Sequence, residues 1–204
     1  YSGRGKRNSK GDAYFQTTRV AMDLLFDRAW NDVVSGKHTE YVTGNNDADG
    51  VYLLHWAAKK FPERVELLKQ HLEQWGGNSS GVNISNIDNL GNVHPDTFWW
   101  NHHLGNVKDR PFSDIWKNTQ DELMLGLRQS PRAVKGRCSK CEYFSICGGN
   151  TRVRAFSLDG DYWGEDPGCY LDNQEIGLSD DDAGMLSMET CLADKVNVLQ
   201  LNAD

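Results

Sequence analysis

Three cysteines, Cys138, Cys141 and Cys147, stand at C-x2-C-x5-C spacing, and a fourth, Cys169, follows in Asp166-Pro167-Gly168-Cys169-Tyr170. Four thiolates from one knuckle and a returning loop describe a metal site. Thiolate is a soft ligand, and four of them complete either a tetrahedral zinc or one four-iron four-sulfur cluster. Zinc ribbons usually pair two C-x2-C knuckles. A single knuckle with two separated cysteines therefore favours a cluster, and structural zinc stands as the alternative. Disulfides fit less well: the cysteine count of five is odd, no signal peptide is evident, and three cysteines share one tight loop. The fifth, Cys191, has no partner motif and reads as an ordinary small side chain.

Lys135, Arg137, Lys140, Arg152 and Arg154 gather around this motif in a chain of net charge -7, and Arg4, Lys6, Arg7 and Lys10 open the sequence in a Gly-rich turn. These cations either neutralise the negative charge of a thiolate-ligated cluster or face the carboxylates of a substrate. His102 and His103 are candidate ligands or proton donors. Neighbours on a strand point to opposite faces, so at most one reaches a given site, and a polar-surface role is the plainer reading.

These residues need a framework. With 204 residues, 38% of them hydrophobic, and seven each of Trp, Tyr and Phe, the chain has ample material for a packed core. No stretch approaches the roughly 20 apolar residues of a membrane span. The negative net charge argues against a nucleic-acid partner, which would demand cations against phosphates. Apolar spacing predicts a helix over Thr18 to Val34, stopped by Gly36, then a strand over Glu40 to Thr43 and a polar loop, Gly44 to Gly50. Further helices are predicted over Val51 to Lys60 and from Pro62 to the Gly76-Gly77 pair, followed by a strand over Gly81 to Ile87. Alternation of this kind predicts parallel βα units and an α/β class, with two or three such units over residues 1–90. From Gly91 the texture changes to short turns and aromatics, with a helix running to about Arg128. The segment from Ser179 reads as a solvated tail with a short amphipathic helix.

The motifs Gly91-Asn-Val-His-Pro95, Leu104-Gly-Asn-Val107, Phe112-Ser-Asp-Ile-Trp116, Cys138/Cys141/Cys147 with Gly148-Gly149, and Asp166-Pro-Gly-Cys169 together resemble the SPASM-type C-terminal extension of radical SAM enzymes. Tyr1-Ser-Gly-Arg-Gly-Lys-Arg7, Thr43-Gly-Asn-Asn-Asp-Ala-Asp-Gly50 and Cys147-Gly-Gly-Asn-Thr-Arg-Val-Arg-Ala155 resemble the tetrapyrrole-modifying branch, the heme d1 enzymes most of all, over about residues 1–178. The implied fold is the C-terminal part of a partial (β/α)6 barrel (1–90), a small α+β SPASM/twitch-like iron-sulfur module (91–178) and a tail (179–204). The full SPASM pattern carries enough cysteines for two auxiliary clusters. Here Asp96 stands where one is usual, and Asn150 and Thr151 occupy the neighbourhood of another. The resemblance thus implies one auxiliary 4Fe-4S cluster on Cys138, Cys141, Cys147 and Cys169, with Gly148 and Gly149 letting backbone N–H groups approach sulfur.

The C-x3-C-x2-C loop that holds the catalytic cluster of the family does not occur in this sequence. The expectation is a C-terminal portion, inactive alone, of a cytoplasmic enzyme whose missing N-terminal half of the barrel binds S-adenosylmethionine and a second 4Fe-4S cluster. In the whole enzyme the resemblance implies a 5'-deoxyadenosyl radical that abstracts hydrogen from a tetrapyrrole, and an electron donor as partner. The implied reaction removes propionate side chains from 12,18-didecarboxysiroheme on the way to heme d1. A sister siroheme-to-heme enzyme, removing acetates or converting propionates to vinyls, and a non-catalytic zinc module are the alternatives. Arg4, Lys6, Arg152 and Arg154 are the candidates to pair with substrate carboxylates, which Arg binds bidentately.

Overall fold

The computed structural model describes residues 13–44 and 46–179. Arg4, Lys6 and the rest of the opening basic turn, and Cys191 with the tail, lie outside the described residues. Three helices come first: α1 (Phe15–Val34), α2 (Ala48–Lys60) and α3 (Val65–Trp75), the last entered through a 3-10 turn at Pro62–Arg64. Proline in that turn loses no bond, because the first N–H groups of a helix have no partner. Lys59 and Lys60 in the last turn of α2 complement its dipole.

The predicted helices are present, with α1 and α2 each beginning three residues earlier than their apolar spacing suggested. The strand expected over Glu40 to Thr43 is not formed. Among the described residues that segment has no strand paired with it. Tyr41 is spent on a hydrogen bond from its hydroxyl to Asp32 (2.5 Å), and Val42 is 84% exposed. The strand expected over Gly81 to Ile87 shrinks to β1 (Asn86–Ile87). Its first half coils instead, with the N–H groups of Val82, Asn83 and Ile84 all turned onto the Ser79 carbonyl.

β1 pairs with β2 (Asn92–His94), and β2 with β3 (Gly105–Asn106), both antiparallel, with Ile87 opposite Val93 and Val93 opposite Gly105. The chain thus mixes helices with a small sheet. Parallel βα pairing is absent among the described residues, apart from one bridge between Ser80 and Ile84. Two short helices follow, α4 (Phe112–Lys117) and α5 (Glu122–Arg128). The Asp121 carboxylate caps α5 by accepting from the Met124 N–H at 3.0 Å.

The principal core joins both ends of the described chain. Phe26 of α1 and Val51, Tyr52 and Leu54 of α2 pack with Ile146, Tyr170, Leu171 and Ile176. Each such side chain contributes roughly 1.5–3 kcal/mol on burial. A second cluster gathers Trp99, Leu123, Met124, Leu127 and Val153. A close approach of backbone to backbone occurs at Gly77, just past α3, which has φ +67°. A Cβ there would lie 2.5 Å from the carbonyl carbon and oxygen of Cys147. Gly77→Ala should therefore lower stability by about 2–4 kcal/mol in denaturant unfolding, from overpacking plus left-handed strain. Gly36→Ala, at φ +71° with nothing within 4 Å, should lose only about 1–2 kcal/mol. Equal losses at the two glycines would show that the close approach to Cys147 contributes nothing.

Candidate metal centre

Cys138 sits within a 3-10 turn, Gly136–Lys140, and Cys141 follows it in extended conformation. The single-turn helix α6 (Phe144–Cys147) ends on Cys147. Cys169 comes from the loop beyond α7 (Arg152–Asp159). All four thiols are free and line one cavity, whose apolar wall includes Ala48 and Val51 of α2 together with Phe144 and Leu171. Among the described residues no three His, Cys, Asp or Glu side chains converge tightly enough to hold a single ion.

Burial governs the electrostatics of this cavity. It raises the pKa of every one of the four thiols, Cys169 to about 12, and at Cys147 repulsion from the other three adds to it. Two guanidinium groups act the other way: Arg152 favours the Cys138 thiolate, and Arg137 those of Cys141 and Cys169. Backbone N–H groups help as well. Tyr143 N–H donates to Cys141 Sγ and Gly149 N–H to Cys147 Sγ, each at 3.4 Å. A soft cation entering here would displace protons, so its uptake weakens with acid.

Residues 148–150 are all left-handed, with φ of 58°, 77° and 59°. At Gly149 a Cβ would come within 3.2 Å of Phe144 and Val134, so both space and dihedral call for glycine. Asn150, one of the residue types that tolerates this region, is held by its side-chain amide donating to Asn46 Oδ1 at 2.6 Å. Asn46 also donates to the Gly168 carbonyl at 3.1 Å, next to Cys169. The loop before α2 thereby clasps two of the cysteine loops. Beneath it the Tyr170 hydroxyl donates to Asp49 at 2.8 Å.

Arg152 is fully buried. It donates to the Gly164 carbonyl at 2.7 Å and to the Gly149 carbonyl, while its Nε has no partner among the described residues. That position suits charge neutralisation of the thiols better than recognition of an external carboxylate. Arg154 forms a two-pronged pair with Asp166, at 2.9 and 2.7 Å. Arg137, paired with Glu165 at 2.6 Å, donates to the Leu171 carbonyl at 3.0 Å. His102 bonds Asp121 at 2.9 Å and His103 is exposed, and neither lines the cavity. Asp96 is buried, accepting from the Ser80 hydroxyl at 2.5 Å and the Phe98 N–H at 2.6 Å. Sequence reasoning missed the clasp by Asn46 and the buried Arg132, whose guanidinium donates to the Gly148 carbonyl at 3.1 Å. An Asn/Asp run before an apolar helix signals only a helix start, and a lone Arg after proline signals nothing.

No family model matches the chain, and no solved structure matches it. It is 51% identical over 183 residues to pre-heme d1 synthase of Dinoroseobacter shibae, covering 89% of this chain and 45% of that protein. It is 39% identical over 180 residues to Fe-coproporphyrin III synthase of Methanosarcina barkeri, covering 87% and 45%. An AdoMet-dependent heme synthase of the same organism is 43% identical over 65 residues, 32% of this chain and 18% of that protein. The chain spans about half the length of the first two relatives. The resemblance to tetrapyrrole-modifying radical SAM enzymes drawn from the motifs is thus borne out by similarity along most of the chain.

Asp47, at the start of α2, offers a pH test of the clasp. Burial raises its carboxyl to about 6 against the opposing pull of Arg154 and Arg132. A carboxyl with a raised folded-state pKa stabilises the fold while protonated, and that contribution is lost as pH climbs from about 4 through 6. Asp47→Asn should raise the unfolding midpoint relative to the parent at pH 7.5, with the gain vanishing near pH 4. A gain equal at both pH values would show that Asp47 titrates normally.

Proposed function

We propose that this chain is part of a radical SAM enzyme of modified-heme biosynthesis and carries its auxiliary four-iron four-sulfur cluster on Cys138, Cys141, Cys147 and Cys169. One observation carries the reading: four free thiols line one buried cavity in a chain half-identical to pre-heme d1 synthase along most of its length. The single C-x2-C knuckle with two separated cysteines supports an iron-sulfur cluster over zinc, whose ribbons usually pair two such knuckles. When bound, the cluster supplies one-electron transfer. The chain's residues bury it away from water, neutralise its charge through Arg137 and Arg152, and donate N–H groups to its thiolate ligands.

In this proposal residues 91–178 form the auxiliary-cluster unit, residues 1–90 the last part of a partial barrel, and residues 179–204 a tail. The rest of the enzyme supplies the catalytic cluster and the S-adenosylmethionine site, so the chain alone is inactive. The substrate is a siroheme-derived tetrapyrrole that loses propionate side chains, as the identity to pre-heme d1 synthase favours. The identity to Fe-coproporphyrin III synthase supports a second reading, a sister siroheme-to-heme activity. Arg4 and Lys6 are the carboxylate-binding candidates that this reading keeps foremost. An electron donor is the expected partner. No helix among the described residues is long and apolar enough to cross a membrane, and a cytoplasmic location is part of the proposal.

Anaerobic purification tests the cluster. About four irons with matching sulfide per chain are expected, and each of Cys138→Ser, Cys141→Ser, Cys147→Ser and Cys169→Ser should lose most of that iron. Cys191→Ala should leave it unchanged. Colourless protein with one zinc per chain would overturn the reading. For the substrate, the product mass from the complete enzyme should report loss of propionate, and loss of acetate or conversion to vinyl would move the assignment to the sister activity.

A further inference from the structure

We propose that Arg132 positions the Gly148–Gly149 peptide so that its N–H is aimed at the Cys147 sulfur, and that this contact and the buried guanidinium charge raise the reduction potential of the centre held there. The inference rests on the auxiliary-cluster reading. Arg132 is only 9% exposed, and its donors go to backbone carbonyls of three separate segments: Nε to Leu127 (3.1 Å), Nη1 to Gly148 (3.1 Å) and Nη2 to Asn78 (2.7 Å). None of these donors meets a carboxylate among the described residues. Arg132 is therefore a buried cation bonded only to carbonyls, with the Asp47 carboxylate and the Cys147 sulfur as the negative groups within its electrostatic reach.

The Gly148 carbonyl and the Gly149 N–H belong to one peptide unit. In a trans peptide those two groups point in opposite directions, so whatever fixes the carbonyl fixes the N–H. Arg132 holds the carbonyl on one side, and on the other the N–H meets Cys147 Sγ at 3.4 Å. Both flanking residues are glycines in left-handed conformation, free to rotate where other residues are not. The guanidinium fork supplies the orientation that the glycines leave open.

Hydrogen bonds to ligating sulfur and nearby positive charge both favour the more negative, reduced state of an iron-sulfur centre. Arg137 also lies near the thiols, but Glu165 at 2.6 Å offsets its charge. Arg132 has no hydrogen-bonded carboxylate among the described residues; Asp47 lies within electrostatic reach of it, and so does Cys147.

The test uses the anaerobically reconstituted full chain, with iron content measured first and the one-electron midpoint potential then followed by electron paramagnetic resonance during dithionite titration. Arg132→Met should keep the parent's iron content and titrate at a lower potential. Arg132→Lys, which keeps the charge but loses the fork, should fall between the two. Loaded variants with the parent's potential would overturn the inference while leaving the cluster intact. An iron-free parent would overturn the cluster reading, and this inference with it. Should Arg132→Met fail to load, the Lys variant decides alone, because its charge and one donor are retained and only the fixed peptide orientation is lost.

Discussion

Four thiols enclosed by one low-dielectric cavity set the constraint on which the rest of this structure depends. Burial favours their protonated form, and each thiolate created beside the others is opposed by repulsion. Metal ligation requires the thiolate, so the chain must supply positive charge within the same enclosure. It does so with Arg132, Arg137 and Arg152, each anchored to backbone carbonyls. Isolated buried guanidinium groups would be as unfavourable as isolated buried thiolates. The two sets make sense only together.

Holding the sulfurs around a cavity also demands that several chain segments come closer than side chains allow, and glycine meets the demand. Gly77 lies against the Cys147 backbone, Gly136 against Glu165, and Gly168 beneath the Arg154 guanidinium. The helical segments are a wall of the site as much as a support for it. Ala48 and Val51 of α2 line the cavity, Asn46 ties the loop before α2 to Asn150 and Gly168, and the Tyr170–Asp49 hydrogen bond closes the seam from below.

The four candidate cysteines were legible because their chemistry lies in residue type and short-range spacing, and the structure does bring Cys138, Cys141, Cys147 and Cys169 to one cavity. Helices α1 to α3 were legible for a similar reason, since apolar spacing, Pro62 and Gly76 are local signals. The strands were not. Alternation at Val82 and Ile84 looked like a buried face, yet both are more than two-fifths exposed, because the Ser79 carbonyl gathers three successive N–H groups and coils the segment. Long-range partners left no trace in local pattern: nothing near Arg132 announces that it will bond carbonyls at 78, 127 and 148. Asp96 and Asn150, noticed only as departures from a cysteine pattern, turn out to be buried hydrogen-bonding residues.

The basic residues flanking the motif illustrate how a sequence-level charge cluster divides once folded. Arg152 and Arg154 are two residues apart on α7, about 200° around a helix, so they cannot serve one target. Arg152 turns inward beside the thiols. Arg154 grips Asp166, which is 2% exposed and opens the loop leading to Cys169. For Arg154 to take a substrate carboxylate instead, Asp166 would have to stay buried without its partner, and breaking such a pair costs about 3–5 kcal/mol. A bidentate carboxylate contact at the surface returns less than that. The Arg154–Asp166 pair is thus better suited to locking the Cys169 loop than to binding an external carboxylate.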